Sequence, residues 1–423
     1  MTPRLGIYIH IPFCASKCSY CDFYSLAGCD HMMPDYQDAL LDHLEESAPA
    51  IRRYEVDSIY FGGGTPSFYG ADRIAEILNT LKLNGNVRLD SEITVECNPD
   101  SVSVNALRLL REEGVNRLSL GVQSADNDLL KLIGRRHNFQ QAVRAVEMAR
   151  TAGFDNISLD LIYGLPSQTK NDWAQTLAKT VELHPEHISC YGLKLEEGTP
   201  MYRDYLGSPI LPDDDEQADM YCYAADMLER YGYKQYEISN FAAPGFESRH
   251  NLKYWNLDDY MGFGPGAHSS VGNQRYSFVR DLKQYISGVA RDASIVDEYQ
   301  QIDPLERAVE YIMLGMRTAK GISETDYRAR CQCDWRPIAR VMEAFREKGW
   351  AEHSGDRWHF TVPGFLISNT LIGILLEAQA GGRVEGTPWL GEAFAAEEKI
   401  SYPKGEDELF RELYTDDKDE GTT

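Results

Sequence analysis

Short apolar runs rich in β-branched residues alternate with longer segments of helical periodicity through the first 195 residues. Apolar residues recur every three or four positions in the longer segments, which is the helical period. Strands are predicted at 6–11, 58–61, 93–96, 117–122, 157–162 and 187–193, and helices at 36–51, 73–83, 104–113, 140–152 and 172–183. This alternation is typical of an α/β fold with a parallel sheet. Because a closed barrel needs eight such units, six predict a partial barrel or a doubly wound sheet, with the active site at the carboxyl ends of the strands.

The pattern changes after residue 195. A Pro- and Asp-rich stretch leads into a helical segment that ends near residue 230, a short strand-like run and a loop rich in Gly and aromatic residues. From residue 304 two amphipathic helices and a hairpin, at 305–316, 335–348 and 350–361, resemble a winged-helix module. The predicted domains are a barrel at 1–200, a barrel extension and linker at 201–300, a C-terminal domain at 301–380 and a partly disordered acidic tail at 381–423.

Charge and hydropathy restrict the possible partners. The 423 residues carry 42 Lys and Arg against 66 Asp and Glu, a formal net charge of −24, which repels a phosphate backbone and argues against nucleic acid. The tail, with 12 acidic and 5 basic side chains, contributes to this excess. We find no apolar run of membrane-spanning length and no secretion signal, and therefore expect a cytoplasmic protein with reduced thiols. Oligomeric state and peripheral membrane contact stay open.

Four of the nine cysteines cluster near the N-terminus, at Cys14, Cys18, Cys21 and Cys29. The first three form a C-x3-C-x2-C array just beyond the first predicted strand. Three thiolates so close together can hold one metal centre, and a cubane iron–sulfur cluster held in this way keeps one iron open to a non-protein ligand. A zinc site completed by Cys29, His31 or His10, and ordinary unligated thiols, are the alternatives that spacing leaves open.

Polar and glycine residues follow the predicted strands where a ligand is expected. Strand two ends in Gly62-Gly63-Gly64-Thr65, where the absent Cβ atoms let a ligand approach the backbone. Glu96, Gln123 and Asp160 lie at the ends of the next three strands, and strand six ends near Lys194. Each of these residues taken singly is more often structural, but the fold brings them to one rim.

The segment GIYIHIPFCASKCSYCDF resembles the signature of the radical S-adenosylmethionine (SAM) superfamily, and the resemblance extends to about residue 374. It implies a partial (β/α)6 barrel with a smaller, mostly helical, winged-helix-like C-terminal domain. It also implies a 4Fe–4S cluster on Cys14, Cys18 and Cys21, whose open iron binds SAM. Resemblance to the coproporphyrinogen-dehydrogenase branch places the SAM contacts on Tyr8, Tyr20, Gly63, Gly64, Thr65, Glu96, Gln123, Arg135, Asp160 and Lys194. Arg135 is expected to pair with the SAM carboxylate, with a surface arginine as the alternative.

Three features of the sequence favour another member of that branch, two of them departures from the dehydrogenases and one a shared motif. The dehydrogenases usually carry a fourth cysteine where this chain has Phe23, and a long arm before the first strand. The motif His250-Asn251-Leu252-Lys253-Tyr254-Trp255 is similar to that of HemW-type haem chaperones. A His can ligate haem iron and aromatic rings can contact the macrocycle, so His250 is the candidate haem ligand, with a hydrogen-bonded packing loop as the alternative.

The resemblance implies a haem chaperone that delivers haem to haemoproteins such as respiratory enzymes, with no catalytic residue assigned. The alternative is a radical SAM enzyme acting on a tetrapyrrole, such as the oxygen-independent coproporphyrinogen III dehydrogenase. A reductant donor is required only if the centre is redox-active.

Overall fold

The computed structural model describes residues 2–331 and 334–381, so the predicted acidic tail lies outside the described residues beyond Gly381. The chain divides into two compact units, Met1–Ile302 and Asp303–Thr423. No helix within the described ranges is long and apolar enough to cross a membrane.

The first unit contains the strands β1 (Arg4–Ile11), β2 (Phe13–Cys14), β3 (Leu26–Ala27), β4 (Glu55–Gly63), β5 (Val87–Cys97), β6 (Arg117–Gln123), β7 (Ile157–Tyr163), β8 (His187–Gly192), β9 (Lys234–Gln235), β10 (Asn240–Ala242), β11 (Tyr260–Phe263), β12 (His268–Val271), β13 (Gln274–Phe278) and β14 (Val296–Gln301). Its helices are α1 (Met33–Ile51), α2 (Pro66–Tyr69), α3 (Ala71–Asn84), α4 (Val104–Glu112), α5 (Asn127–Leu132), α6 (Phe139–Thr151), α7 (Lys170–Val181), α8 (Pro200–Tyr205), α9 (Asp214–Arg230), α10 (Arg249–Asn256) and α11 (Leu282–Val289).

Six parallel strands form the centre of the sheet, in the order β1, β4, β5, β6, β7, β8. Each strand neighbours the next one along the chain, whereas a doubly wound sheet reverses its strand order at a switch point. The predicted partial (β/α)6 barrel is therefore confirmed, and the doubly wound alternative is wrong. In β1 the side chains of Leu5, Ile7 and Ile9 are fully buried, while Gly6 and Tyr8 belong to the opposite face, as strand alternation requires.

The segment 240–270, expected to be a loop, instead contains a helix and three short strands. β11 pairs in parallel with β1, and β12, β13 and β14 continue the sheet in antiparallel fashion beyond it. At the other edge β10 pairs antiparallel with β8 and β9. These elements are too short for a clear hydrophobic period, and they are stabilised by pairing with strands distant in sequence. The strand-like run at 233–238 likewise forms only the two-residue β9.

The second unit contains the helices α12 (Pro304–Gly315), α13 (Glu324–Cys331), α14 (Arg336–Glu347), α15 (Val362–Leu366) and α16 (Ser368–Gly381), and the strands β15 (Ile322–Ser323), β16 (Ala351–Ser354) and β17 (Arg357–Phe360). The strands form one small sheet in the order β15, β17, β16. Helices followed by this hairpin agree with the predicted winged-helix-like domain. Its core includes Trp335, Met342 and Trp358, all of which are buried.

Candidate functional site

A cavity of about 380 Å³ opens at the carboxyl ends of the parallel strands. Its wall contains the three clustered cysteines, Cys14, Cys18 and Cys21. It also contains nine of the ten residues expected to contact SAM, which are Tyr20, Gly63, Gly64, Thr65, Glu96, Gln123, Arg135, Asp160 and Lys194. Tyr8 and His250 do not line it. The barrel therefore brings nearly the whole predicted set to one place.

The cysteine loop is fixed at both ends by short strands. Cys14 belongs to β2, which pairs with β3, and its sulfur lies 3.3 Å from the Thr65 hydroxyl. Within the loop, the Cys21 amide donates to the Cys18 carbonyl. All three thiols are unpaired. No group of three His, Cys, Asp or Glu side chains among the described residues is arranged around a single metal ion.

The glycine triplet allows the end of β4 to pack closely against the end of β1. Gly63 has φ +106°, and a Cβ there would lie 2.5 Å from the His10 ring. A Cβ on Gly64 would lie 2.7 Å from the Ile11 and Phe13 carbonyl oxygens. The Gly64 amide donates to Ile11 across this contact. Glycine is therefore required by the chain's own packing at this corner, whatever ligand lies beside it.

Glu96 presents a buried carboxyl group to the cavity. The Tyr60 hydroxyl donates to its Oε1 at 2.8 Å and the Gly63 amide to its Oε2 at 3.3 Å. Burial raises the pKa of Glu96 to about 7, and nearby Asp160 adds to the rise while the Tyr60 hydrogen bond opposes it. The group therefore exchanges its proton near neutral pH.

Asp160 and Gln123 differ in how many hydrogen bonds their side chains already make within the protein. Asp160 accepts hydrogen bonds from three hydroxyls, those of Ser119 at 2.8 Å, Ser158 at 3.2 Å and Ser189 at 2.7 Å. Gln123 has φ +68°, and its side-chain amide makes no hydrogen bond to any described residue. A non-glycine residue in the left-handed region is strained, and such strain concentrates at functional sites. Gln123 thus presents a free amide on a strained backbone.

Arg135 lies against the cysteine loop rather than on the open surface. Its guanidinium donates to Cys18 Sγ at 3.5 Å, to Asn98 Oδ1 at 2.7 Å and to the Gly121 carbonyl. Its Nε is buried with no acceptor among the described residues. Arg135 is therefore not the surface arginine that was the alternative from the sequence, because its guanidinium is held against the cysteine loop and the end of β6.

Lys194 and Tyr8 lie at the margins of the predicted set. The Lys194 side chain is 79% exposed and forms an ion pair with Glu196 at 2.6 Å. Tyr8 lies deeper in the barrel, where its hydroxyl is 3.0 Å from His10 Nδ1 and its ring stacks on Tyr60. Direct contact with a ligand in the cavity is therefore available to the Lys194 segment but not to the Tyr8 ring as it lies here.

Residues 8–179 match the radical SAM superfamily and residues 302–367 match the HemN C-terminal domain. A Bacillus subtilis (strain 168) protein named heme chaperone HemW is 35% identical over 372 residues, which are 87% of this chain and 98% of the relative. The chain belongs to the HemW family of radical SAM proteins. The heme chaperone HemW of Escherichia coli (strain K12) is 34% identical over 381 residues, 88% of this chain and 98% of that protein.

This chain shares its fold with a solved structure. The structure of coproporphyrinogen III oxidase (HemN) from Escherichia coli superposes with a TM-score of 0.78 at 23% identity, covering 88% of this chain and 90% of that one. At this identity the comparison supports the fold only. It agrees with the barrel and with the smaller C-terminal unit.

Membership of the radical SAM superfamily implies a 4Fe–4S cluster and SAM, and the residues present fit both groups. Three unpaired cysteines on one loop supply three thiolates, and no fourth cysteine in the described ranges lines the same cavity except Cys97, which is buried on β5. The cavity volume lies within the usual range for small-molecule sites. The Arg135 guanidinium and the Gln123 amide, which makes no hydrogen bond to a described residue, place polar donors in the cavity wall.

The HemW-like motif lies at the opposite end of the barrel from the cysteines. α10 begins at Arg249 and packs beneath the sheet, where the His250 and Arg249 amides donate to the Glu92 carboxylate at 2.9 and 3.0 Å. The His250 ring is fully buried, with Nδ1 2.9 Å from the Ser58 hydroxyl and Nε2 2.8 Å from the Tyr254 hydroxyl. Burial lowers the pKa of His250 to about 3, so the ring is neutral.

His250 therefore has no ring nitrogen free for an iron in this arrangement, and the packing role considered from the sequence fits its surroundings. Tyr254 is equally engaged, because its ring meets Tyr260 edge-on at 4.7 Å between centroids. Trp255 is half-buried. Asn251, in contrast, reaches the cavity wall from below.

The sequence interpretation missed Arg117, His187 and Asn251, which line the lower part of the cavity. Arg117 lies in the segment Arg117-Leu-Ser119-Leu-Gly121-Val-Gln123, whose alternate positions face the barrel interior together with Gln123. Strand alternation was the available signal, since a residue two, four or six positions before an inward-facing one shares its face.

Proposed function

We propose that this protein is a haem chaperone that binds haem, carries a SAM-associated 4Fe–4S cluster and delivers haem to haemoproteins such as respiratory enzymes. The main support is the similarity to heme chaperone HemW, at 35% identity over 98% of the relative's length. Phe23, at the position where the dehydrogenases usually have a cysteine, agrees with this choice. We expect the protein to act in the cytoplasm and to meet a reductant only if SAM is cleaved.

Cys14, Cys18 and Cys21 are the residues that hold the cluster in this proposal. When bound, the cluster supplies an electron to the SAM sulfonium, while the protein supplies position and electrostatics. The Arg135 guanidinium, beside Cys18 in the cavity wall, orients the SAM carboxylate, and the glycine triplet admits the methionine part.

Glu96, Gln123 and Asp160 complete the SAM site. Glu96 accepts from the amine or a ribose hydroxyl and holds or releases a proton at its carboxyl group near neutral pH. Asp160 Oδ2 accepts from Ser119 alone, so it keeps a lone pair for a ribose hydroxyl. Tyr8 acts from below through the packing of Tyr60.

Haem is the cargo, and the cavity mouth offers apolar surface for a macrocycle. Phe23 is 66% exposed and Tyr191 is 41% exposed, and both line the cavity. Flat rings of this kind contact porphyrins well. Axial ligation by His250 would require breaking its hydrogen bond with Ser58 or Tyr254, so this assignment depends on α10 moving away from the sheet.

Titration of the anaerobic protein with haem tests the chaperone function. We expect a saturable change in the Soret band, and transfer of haem to an apo-haemoprotein in a second step. His250→Ala distinguishes the ligand, with exposed His184→Ala as the matched control. A weakened Soret change in His250→Ala alone supports ligation, equal spectra in both variants reject it, and no saturable binding by the wild-type protein rejects the chaperone function.

A tetrapyrrole-directed radical SAM activity is the second candidate, because the cavity keeps nine of the ten expected SAM residues. Anaerobic incubation with SAM, a reductant and coproporphyrinogen III tests it on the same preparation. Accumulation of protoporphyrinogen would favour this enzyme over the chaperone.

A further inference from the structure

Arg117 is a buried cation at the floor of the cavity. It is the first residue of β6 and pairs with Thr94 on β5, one layer below the pairing of Ser119 with Glu96. Only 2% of its surface is exposed, yet it lines the cavity. The layer beneath it, Gly6 with Ser58, contacts α10. Its guanidinium therefore lies between the proposed SAM site and the helix that closes the barrel.

The Arg117 side chain makes no hydrogen bond and no ion pair with any residue that the structure describes. Its Nε is buried without an acceptor, and so is the hydroxyl of the neighbouring Thr94. The other cations of the wall have partners: Lys17 donates to the Phe23 carbonyl, Arg135 to Cys18, and Lys194 to Glu196. A buried arginine without a directly paired anion is costly, so its retention calls for a partner from outside the chain.

The nearby protein groups do not supply that partner. Asp160 accepts from three serine hydroxyls and Glu96 from Tyr60 and Gly63, and neither carboxyl group forms a hydrogen bond or ion pair with Arg117 in the described ranges. The Arg117 charge acts on Glu96 only at longer range, where it slightly lowers the pKa of that carboxyl group. His187 Nδ1 bonds the Ser158 hydroxyl and its Nε2 the Tyr236 hydroxyl, each at 2.8 Å. In contrast, the Asn251 side-chain amide lines the same cavity and makes no hydrogen bond within the described ranges.

We propose that Arg117 forms a carboxylate-binding subsite at the floor of the cavity, below the SAM residues, with the Asn251 amide as a neighbouring donor. A guanidinium matches a carboxylate through two parallel N–H donors, which gives it both charge and geometry for this ligand class. The carboxylate belongs either to an alkyl acid chain such as a propionate or to an α-amino acid. This subsite stands on the contacts of Arg117 and does not depend on haem transport.

Ligand-observed NMR titrations of the full chain without SAM, in a carboxylate-free buffer at constant chloride, test the subsite. The probes are propionate, its neutral isostere propionamide, and L-alanine, which adds an ammonium group. We expect a carboxylate to bind at least tenfold more tightly than propionamide, and Arg117→Gln to weaken that binding at least tenfold. Arg230→Gln, an exposed arginine on α9, is the matched control and leaves it unchanged.

The two carboxylate probes distinguish the sources. Preference for propionate indicates an alkyl acid chain, and preference for L-alanine indicates an amino acid. Equal binding of propionamide, equal binding by Arg117→Gln, or no saturable binding of either carboxylate overturns the proposal.

Thermal unfolding without added ligand separates a binding role from a structural one. Because removal of an unpaired buried charge relieves a cost, Arg117→Gln is expected to leave the midpoint unchanged or raise it. A fall of more than about 3 °C in the midpoint means that Arg117 stabilises the barrel itself and overturns the proposal. Neither measurement uses haem or the cluster, so failure here is distinct from failure of the chaperone function.

Discussion

The two ends of the barrel carry similar polar residues, but these residues differ in whether the protein itself supplies their hydrogen-bond partners. At the carboxyl ends of the strands, the Gln123 amide and the Arg135 Nε have no partner among the described residues. At the other end, α10 leaves both His250 nitrogens hydrogen-bonded and buries the Lys253 ammonium 2.7 Å from Asp57. The first end is built to receive a ligand, whereas the second is built to close the barrel.

This contrast shows that residue types alone do not locate a site. The motif His-Asn-x-x-Tyr-Trp contains metal-ligating and ring-stacking residues. The side chains of His250, Lys253 and Tyr254 nevertheless pack beneath the sheet. A Cβ on Gly6 would lie 2.7 Å from the Lys253 chain and 3.3 Å from the His250 ring, so even β1 is adapted to this packing. What separates binding from closing is the presence of free donors beside a cavity.

The largest expected effect concerns the cluster end. Cys18→Ser removes one of three thiolates, and we expect loss of nearly all reconstituted iron and sulfide with little change in the far-ultraviolet circular dichroism. Anaerobic reconstitution followed by iron and sulfide analysis measures it. Cys29→Ser is the matched control, because Cys29 lies outside the cavity wall and should keep the full cluster. Equal iron in both variants would mean that a different cysteine set holds the cluster.

At the end of the barrel that α10 closes, we expect substitutions to change the free energy of unfolding instead. Lys253→Met leaves the largely buried Asp57 with only Arg4, whose guanidinium lies 3.9 Å away, and breaking such a buried pair costs about 3 kcal/mol of unfolding free energy. Lys234→Met removes an exposed pair with Glu229 and should cost less than about 1 kcal/mol. Denaturant unfolding of both variants measures the difference. Similar costs would show that α10 contributes nothing special to closure.

The sequence predicted the barrel well because its strands are long, apolar and separated by periodic helices. It predicted the cysteines and most of the rim for a related reason, since parallel strands place their carboxyl ends together. It did not predict β11 or the role of α10, because these depend on pairing with β1 and on contacts with Ser58 and Glu92 far away in sequence. Nor does any local pattern show that Arg117 has no ion pair in the described ranges, because this depends on which residues the fold places around it.

A smaller effect is expected from the two buried glutamates whose pKa is about 7, Glu96 in the cavity and Glu237 outside it. Burial raises both values, so the folded state binds the proton more tightly than the unfolded state does. The contribution of each glutamate to the free energy of unfolding therefore falls as pH rises from about 4.5 to about 7. We expect Glu96→Gln and Glu237→Gln to stabilise the apo-protein by about 2 kcal/mol at pH 8 and by little at pH 4.5.

SAM affinity separates these two variants. Glu96→Gln should weaken SAM binding about tenfold, the loss of one hydrogen bond to a charged group, whereas Glu237→Gln should leave it unchanged. Isothermal titration of SAM with the reconstituted protein measures both. If the two variants lose affinity equally, burial alone, and not position at the cavity, accounts for Glu96.

The smallest effect concerns the strained backbone at Gln123. Glycine relieves the cost of φ +68°, about 1 kcal/mol, but removes a side chain that packs in the cavity wall, so Gln123→Gly should change the unfolding free energy by less than about 1 kcal/mol. His184→Gly, at φ +50° on the exposed surface, lacks that compensating loss and should be stabilised by about 1 kcal/mol. Only Gln123→Gly should weaken SAM binding, because its amide is the free donor. Unchanged SAM affinity in Gln123→Gly would mean that this strain serves the turn after β6 rather than the ligand.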